Sequence, residues 1–523
     1  MLDLGRSLVS SVARAPTSMA IVDGDTRLSY EDWFAQISSL VVGLADMGLR
    51  HGDRIVVAMQ NNRAAASLHW ACQLAGVIIV PVNWRATPDE IDFFVTNSEA
   101  RALAFDGSSV EAMGAATKVA HLPSLTYQVA VPGALEFDQI IGASAPDASP
   151  QASAEDWSIM LYTSGTTARP KGVPRRHRAE RAGALAHIAQ NMMPMGDVTL
   201  GVMPLYHTMG VRSLLAMTLL NGLFVCLPRF NCAAALRLIA EERIGSLYLV
   251  PTLYYDLLEH ADFKSTDLTS VKRLGYAGAS MTDGLLKRVD AAFKPELFVN
   301  HFGSSEIYTF SIEQNAVAKP GSAGRAGLNQ HLRVVEMGAG DPEAVVAQGC
   351  EGEIIATLAG DESFEGYFKN PAANEKAMKD GWYFTGDCGH FDADGDLFVS
   401  GRVDDMIITG GENVSPVEVE SCLSTHPDVS ECAVVGLPDE RWGKIVTAFV
   451  KRHGDVSAAV LTEHCRASSL ANFKRPKDFV FVAELPKSPV GKLLRRDLIA
   501  GNYTPEQQDT AAHSSAAMKE KTP

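Results

Sequence analysis

Leu161-Tyr162-Thr163-Ser164-Gly165-Thr166-Thr167-Ala168-Arg169-Pro170-Lys171-Gly172 is the most informative stretch of this chain. An apolar run, Ile159–Tyr162, predicts a strand that leads into four hydroxyl side chains, a glycine and then a lysine. Hydroxyls and backbone N–H groups in a tight turn can surround phosphate oxygens, and a lysine adds a point charge. The GxxxxGK[ST] pattern of a Walker A loop is absent, so the turn belongs to another type.

Outward from this loop the chain alternates helix and strand patterns. Ser29 precedes a helical face of Trp33, Phe34, Ile37, Val41 and Leu44, which Gly48 stops. Arg54–Met59 reads as a strand, Ala64–Leu74 as a helix and Val77–Val82 as a buried strand. Thr87-Pro88-Asp89-Glu90 is a helix start, with a hydroxyl cap, proline at the first turn and acids near the dipole. Arg101–Phe105 is strand-like again. Residues 106–155 are rich in Ala, Gly, Ser and Pro and are expected to cross the surface. The alternation resumes near Ser158 and continues from Cys226 to Val299; Gly321–Leu358 has shorter strands and turns. The expected fold is α/β: a large N-terminal domain of mainly parallel sheets covered by helices, a β-rich subdomain, and a small α+β C-terminal domain. The expected boundaries are 1–403, 404–502, and a polar, Ala/Ser-rich disordered tail at 503–523.

Composition narrows the function. The 523 residues include 46 basic and 62 acidic side chains, a net charge of −16, and 46% are hydrophobic. That argues against general nucleic-acid binding and against a wholly disordered chain. The most apolar stretch, Ala65–Val82, is interrupted by His69, Gln73 and Gly76, too polar for a membrane span. Asp3 and Arg6 break Met1–Val12, so no signal peptide is read. Eight cysteines show no CxxC pair, and a reduced, cytoplasmic setting is expected. Asp392-Ala393-Asp394-Gly395-Asp396 has glycine at the fourth position and Val403 at the twelfth, which a calcium loop does not tolerate. A hairpin turn between Cys388–Phe391 and Leu397–Ser400 is expected instead. No GxSxG elbow occurs, which disfavours a serine hydrolase.

The loop at 163–172 resembles the phosphate loop of the adenylate-forming superfamily of acyl-CoA synthetases, peptide-synthetase adenylation domains and luciferases. Phe302-Gly303-Ser304-Ser305-Glu306, Tyr383-Phe384-Thr385-Gly386-Asp387, Gly401-Arg402-Val403-Asp404-Asp405, Gly410-Gly411-Glu412-Asn413-Val414 and Gly491-Lys492 match further motifs of that superfamily, in order. Met203-Pro204-Leu205-Tyr206-His207 and Phe473-Lys474-Arg475-Pro476-Lys477 resemble aryl-CoA ligases, the 4-chlorobenzoate:CoA ligases among them.

The resemblance implies an ATP-dependent carboxylate:CoA ligase using ATP, Mg²⁺ and coenzyme A. It implies that Thr163, Ser164, Gly165, Thr166, Thr167 and Lys171 hold phosphates, with Glu306 and Thr166 at the metal. Ser280, His301, Phe302, Gly303 and Ser305 are implied around the nucleotide, and Asp387 and Arg402 at the ribose. Lys492 is implied to bridge the carboxylate and the α-phosphate, and Asp404 to be the hinge of a mobile C-terminal domain. Coenzyme A is implied to meet Arg85, Gly410, Gly411, Glu412, Trp442, Phe473, Arg475 and Lys477. The acid pocket is implied to be lined by Ala184, Ala186 and His187, by His207, Thr208 and Met209, by Tyr248, Ala277 and Gly278, and by Ser304, Tyr308 and Thr309. That lining is mainly apolar with no obvious fixed cation, so an aromatic or cyclic monocarboxylic acid is expected. A medium-chain fatty acid, a carrier-protein thiol in place of coenzyme A, and a non-catalytic nucleotide-binding module stay open, as does a homodimer. The run Arg175, Arg176, His177, Arg178, Arg181 reads equally as an anion-attracting patch or a solvated helix face. Two positions depart from the family pattern: Ala168 stands for a glycine and Phe302 for a tyrosine.

Overall fold

The computed structural model describes residues 2–143, 145–163, 169–410, 412–487 and 493–506. The chain forms two compact units, 1–281 with 286–399, and 282–285 with 400–523.

The first unit contains two large sheets. In one, Leu135–Glu136, Ser124–Tyr127, Ala102–Asp106, Arg54–Ala58, Ile78–Pro81 and Trp157–Thr163 run parallel. Lys171–Arg176 closes that edge antiparallel. In the other, Met19–Asp23, Leu223–Cys226, Val198–Gly201, Ser246–Leu249, Arg273–Tyr276 and Leu297–Phe302 are parallel. Beyond Leu297–Phe302 the pairing turns antiparallel through Ser311–Glu313 and Ser322–Ala326 to the β-rich part.

Local chemistry starts the covering helices. Ser29 accepts from the Asp32 amide at 3.1 Å and begins Tyr30–Asp46. Thr87 and Glu90 form a reciprocal capping box at Pro88–Ser98. Helix Arg63–Ala75 is buried on every side between the sheets, which suits its small and apolar residues.

One expectation fails here. Residues 106–155 do not merely cross the surface. Ser124–Tyr127 and Leu135–Glu136 extend the sheet, and Leu125 and Phe137 are fully buried. Strands of two to four residues among Ala, Gly and Ser leave too short a pattern to read.

The hairpin expected at Asp392–Asp396 joins Trp382–Phe391 to Leu397–Arg402. The Asp392 amide donates to the Asp396 carbonyl at 3.0 Å. Its three carboxylates converge, and Lys319 Nζ lies among them, 2.5 Å from Asp392, 2.9 Å from Asp394 and 2.5 Å from Asp396.

The second unit is α+β. Val429–Asp439, Gly443–Arg452 and Asp478–Glu484 form its sheet. Pro416–Ser424 and Ala458–Ala467 pack Val419, Leu423 and Leu461 against Val434, Val446 and Val450. Tyr503–Glu506, expected in a disordered tail, instead complete this sheet. Thr504–Pro505 pairs with Asp478–Glu484, the Tyr503 ring lies 4.9 Å from Phe449, and Glu506 pairs with Arg452. No helix among the described residues is long and apolar enough to cross a membrane.

Candidate active site

Thr163 ends one strand and Lys171 begins its antiparallel neighbour, and the two are directly paired. The turn between them is therefore anchored at both ends. Ser164, Gly165, Thr166, Thr167 and the departure at Ala168 lie outside the described residues, as do Gly411 and Lys492.

Lys171 Nζ stands 4.2 Å from the centre of the Tyr367 ring. The Tyr367 hydroxyl donates to Glu306 Oε1 at 2.7 Å and meets the Tyr383 hydroxyl at 3.3 Å. Burial pushes the Tyr383 phenol well up, so it stays a neutral hydroxyl. One tyrosine thus joins the lysine expected at the phosphates to the carboxylate expected at the metal.

The backbone explains the motif around Glu306. The chain folds back on itself, with the Ser304 amide donating to the Ile307 carbonyl at 2.8 Å and the Phe310 amide to the Phe302 carbonyl at 2.8 Å. A Cβ on Gly303 would stand 2.1 Å from the Tyr308 carbonyl oxygen, so only glycine fits. Ser304 Oγ accepts from the Glu306 and Ile307 amides at 3.2 and 3.4 Å, serving the turn. Phe302 is half-buried, its ring 5.1 Å from Phe310. Glu306 is a single, largely buried carboxylate. Magnesium takes one or two carboxylates with phosphate oxygens and water, so this donor set fits it.

Arg175 supports this turn from behind. Its guanidinium is fully buried, ion-paired with Glu180 and 3.8 Å from the Tyr308 ring centre. Nη1 donates to the carbonyls of Ser305 at 3.3 Å and Glu306 at 3.0 Å. Tyr308 completes the loop by donating to Glu180 at 2.9 Å. The basic run is therefore neither an anion-attracting patch nor one solvated face. Arg176 and Arg178 pair with Glu155 and Glu365, and His177 is buried with its pKa pushed down to about 4 by burial.

Of the residues expected around the acid, Tyr248, Tyr308 and Thr309 meet Arg212, and His187 packs on Tyr248. His207 caps helix Thr208–Leu219, its Nδ1 accepting from the Met209 amide at 3.4 Å. A Cβ on Gly278 would stand 3.9 Å from Met209 Sδ. Ala184, Ala186, Thr208, Ala277 and Thr309 are all buried. Arg212, on the same helix, donates to the Tyr308 carbonyl at 3.2 Å, to Thr309 Oγ1 at 2.8 Å and to the Tyr248 hydroxyl. No fixed cation was expected here; Arg212 is a buried cation that contacts three of the expected lining residues. Arg212 lies in an apolar run, Met209–Leu215, and its side chain is 2% exposed.

His301 also moves. Expected at the nucleotide, it is buried beside His187 and Tyr248, with ring centres 5.4 and 5.3 Å apart. Successive strand residues face opposite ways, so His301 and Phe302 point apart. Asn191 Nδ2 links the two imidazoles, 2.9 Å from His187 Nδ1 and 3.0 Å from His301 Nε2. Burial, then the nearby Arg212 charge, holds both histidines well below the ordinary pKa, hence neutral. Neither Asn191 nor Arg212 carried a sequence signal.

Ser280 is exposed and Asp387 is half-buried, its amide donating to Thr385 Oγ1 at 3.0 Å. Arg85 stacks on Trp84, 3.6 Å from the ring centre. In the second unit Asp404 and Glu412 are exposed and Arg402 is half-buried. Trp442 and Phe473 are also exposed. A Cβ on Gly410 would meet the Trp442 ring at 2.8 Å, and the Gly410 amide donates to the Trp442 carbonyl at 3.0 Å. Arg475 Nε donates to the Leu470 carbonyl at 3.0 Å, and the Lys477 amide to the Val446 carbonyl at 2.8 Å.

The chain is similar to known proteins along nearly its whole length. It is 33% identical over 496 residues to a 4-chlorobenzoate–CoA ligase of Arthrobacter sp, covering 93% of each. It superposes on an anthranilate CoA ligase in complex with anthranoyl-AMP with a TM-score of 0.87 at 25% identity, covering 96% of this chain and 97% of that one. The ATP-bound MatB of Rhodopseudomonas palustris gives 0.84 at 26% identity, covering 95% and 98%. The model for AMP-binding enzymes matches residues 8–368, and the model for the AMP-binding enzyme C-terminal domain matches 418–492. Matches of this extent, over a lysine tied through one tyrosine to a buried glutamate, place the chain in the family of AMP-binding enzymes.

Proposed function

We propose that this protein is an ATP-dependent carboxylate:CoA ligase acting on an aromatic acid. The Lys171–Tyr367–Glu306 arrangement carries the reading. A carboxylate is a poor electrophile until its oxygen is made a leaving group. Its attack on the α-phosphate of ATP expels pyrophosphate and yields an acyl-adenylate; a CoA thiolate then displaces AMP. Negative charge gathers on the phosphoryl group during the first step, so fixed cations are needed there.

Lys171 meets the departing phosphates, and Lys492 bridges the attacking carboxylate and the α-phosphate. Magnesium held by Glu306 and phosphate oxygens would neutralise further charge. Asp387 and Arg402 orient the ribose, and Phe302 offers a ring face to adenine. The buried layer of His187, Tyr248, Tyr308 and Arg212 keeps water from the reacting carboxyl. Lys492 and the Gly410–Val414 loop serve different steps from one small unit. Hinge rotation at Asp404 would exchange them. The similarity to ligases of ring acids supports the aromatic class.

ATP–pyrophosphate exchange over a panel of ring acids, followed by CoA addition and mass spectrometry, tests the reading. Acid-dependent exchange and an acyl-CoA product are expected. Exchange without any CoA thioester would point to a carrier-protein thiol. Lys492→Ala is expected to lose exchange yet still form thioester from supplied acyl-adenylate; equal loss of both steps would remove its assigned role.

A further inference from the structure

Arg212 is a fully buried charge on a largely apolar helix. A buried cation is ordinarily paired, because desolvation is expensive and one uncompensated charge is worse than none. Arg212 forms no ion pair among the described residues. Its partners are neutral oxygens of Tyr308, Thr309 and Tyr248, and its Nε–H has no partner. The acid that faces it electrostatically, Glu362, is itself buried. Burial pushes Glu362 up to about 7, opposed by Arg212 and Arg175 and reinforced by Glu180. Neither Glu362 carboxylate oxygen makes a hydrogen bond of normal geometry.

The histidines add polar atoms to the same place. Asn191 lies against His187 Nδ1 and His301 Nε2, which leaves His187 Nε2 and His301 Nδ1 as the outward nitrogens of the two rings. Both of those atoms are buried and have no partner. Both rings pack against Tyr248, whose hydroxyl Arg212 holds. A guanidinium N–H and two imidazole nitrogens therefore remain unused around one tyrosine. Unsatisfied buried donors are rare in native proteins and each needs an explanation. The guanidinium N–H, always a donor, calls for an electron-rich oxygen.

We propose that the acid carries, besides its reacting carboxyl group, a ring-borne oxygen acceptor, received by Arg212 together with His187 and His301. A phenolic oxygen and a second carboxylate share that chemistry. This rests on the ligase reading and narrows its substrate class.

The test uses the full-length protein in ATP–pyrophosphate exchange with benzoate, the three chlorobenzoates, the three hydroxybenzoates and the three benzenedicarboxylates. An oxygen-bearing acid is expected to exceed benzoate in kcat/KM by about 100-fold, since a site built to hydrogen-bond a substituent rejects the analogue that lacks it. Which oxygen series leads identifies the group. Benzoate or a chlorobenzoate as the best acid would overturn the proposal while leaving the ligase reading intact. No exchange with any ring acid would overturn the ligase reading and this proposal together. Arg212→Met is expected to bring the favoured acid to within about threefold of benzoate, with Arg212→Lys intermediate because it keeps charge but not the planar fork. His187→Gln should narrow the same ratio, and it serves as the second variant should Arg212→Met not fold. An unchanged ratio in folded variants would overturn the assignment.

Discussion

Two arginines are fully buried in the same layer, and they are opposite in kind. Arg175 is neutralised by Glu180, stacks on Tyr308 and donates to two carbonyls of the turn that carries Glu306. Arg212 touches the same tyrosine's carbonyl but meets only neutral oxygens. The first has its counter-charge in direct contact. The second does not. Burial alone does not tell a strut from a receptor; what separates them is whether the chain supplies a counter-charge at ion-pair distance.

The sharpest way to break this contrast is to remove each side of it. Arg175→Met leaves Glu180 buried without its cation and should lower folding stability by about 3–5 kcal/mol, measured by urea unfolding. Arg175→Met with Glu180→Leu should recover much of that loss. A single variant as stable as the parent would mean that the pair contributes nothing.

Glu362 tests the layer between the two. Its carboxyl ionises near 4.5 when unfolded and near 7 when folded, so the folded state binds more protons between those values. Stability from this group is therefore present below pH 4.5 and declines as pH rises to 7. Glu362→Gln should be more stable than the parent at pH 8 by on the order of 3 kcal/mol, with the gap closing towards pH 4.5. A gap that does not change with pH would contradict this account.

Arg175 holds the main chain of Glu306, whereas Tyr367 holds its carboxylate. Tyr367→Phe removes that hydroxyl but keeps the ring facing Lys171. Calorimetric titration should show ATP binding weakened by about 1 kcal/mol with Mg²⁺ and nearly unchanged without it. Equal weakening in both conditions would place the hydroxyl's effect elsewhere.

The smallest effect is expected where the charge is unpaired. Arg212→Met should leave stability within about 1 kcal/mol of the parent, because no carboxylate is in ion-pair contact with it. A loss as large as that of Arg175→Met would abolish the distinction between the two.

The parts of the molecule that were legible are those that constrain the backbone. The capping box at Thr87 and Glu90, the helix after Ser29 and the hairpin at Asp392–Asp396 were readable because each imposes a residue type at a fixed spacing. Gly303 is explained in the same way by its approach to the Tyr308 carbonyl. What stayed hidden depends on tertiary packing. Arg212 sits on a helix that is otherwise apolar, and Asn191 follows a helix whose pattern is weak. His301 was assigned by its neighbour's motif, although strand alternation sends it to the other face. Arg175 was hidden because four similar residues surround it, and only the fold distinguishes the buried one.

The turn at Asp392–Asp396 has a consequence of its own. Three clustered carboxylates would ordinarily draw a divalent ion from solution, and their geometry would then depend on its supply. Here the charge is tethered: Lys319 contributes it covalently, at an effectively constant local concentration. The hairpin is therefore expected to keep its shape without a divalent ion, which a chelator-independent melting curve would check.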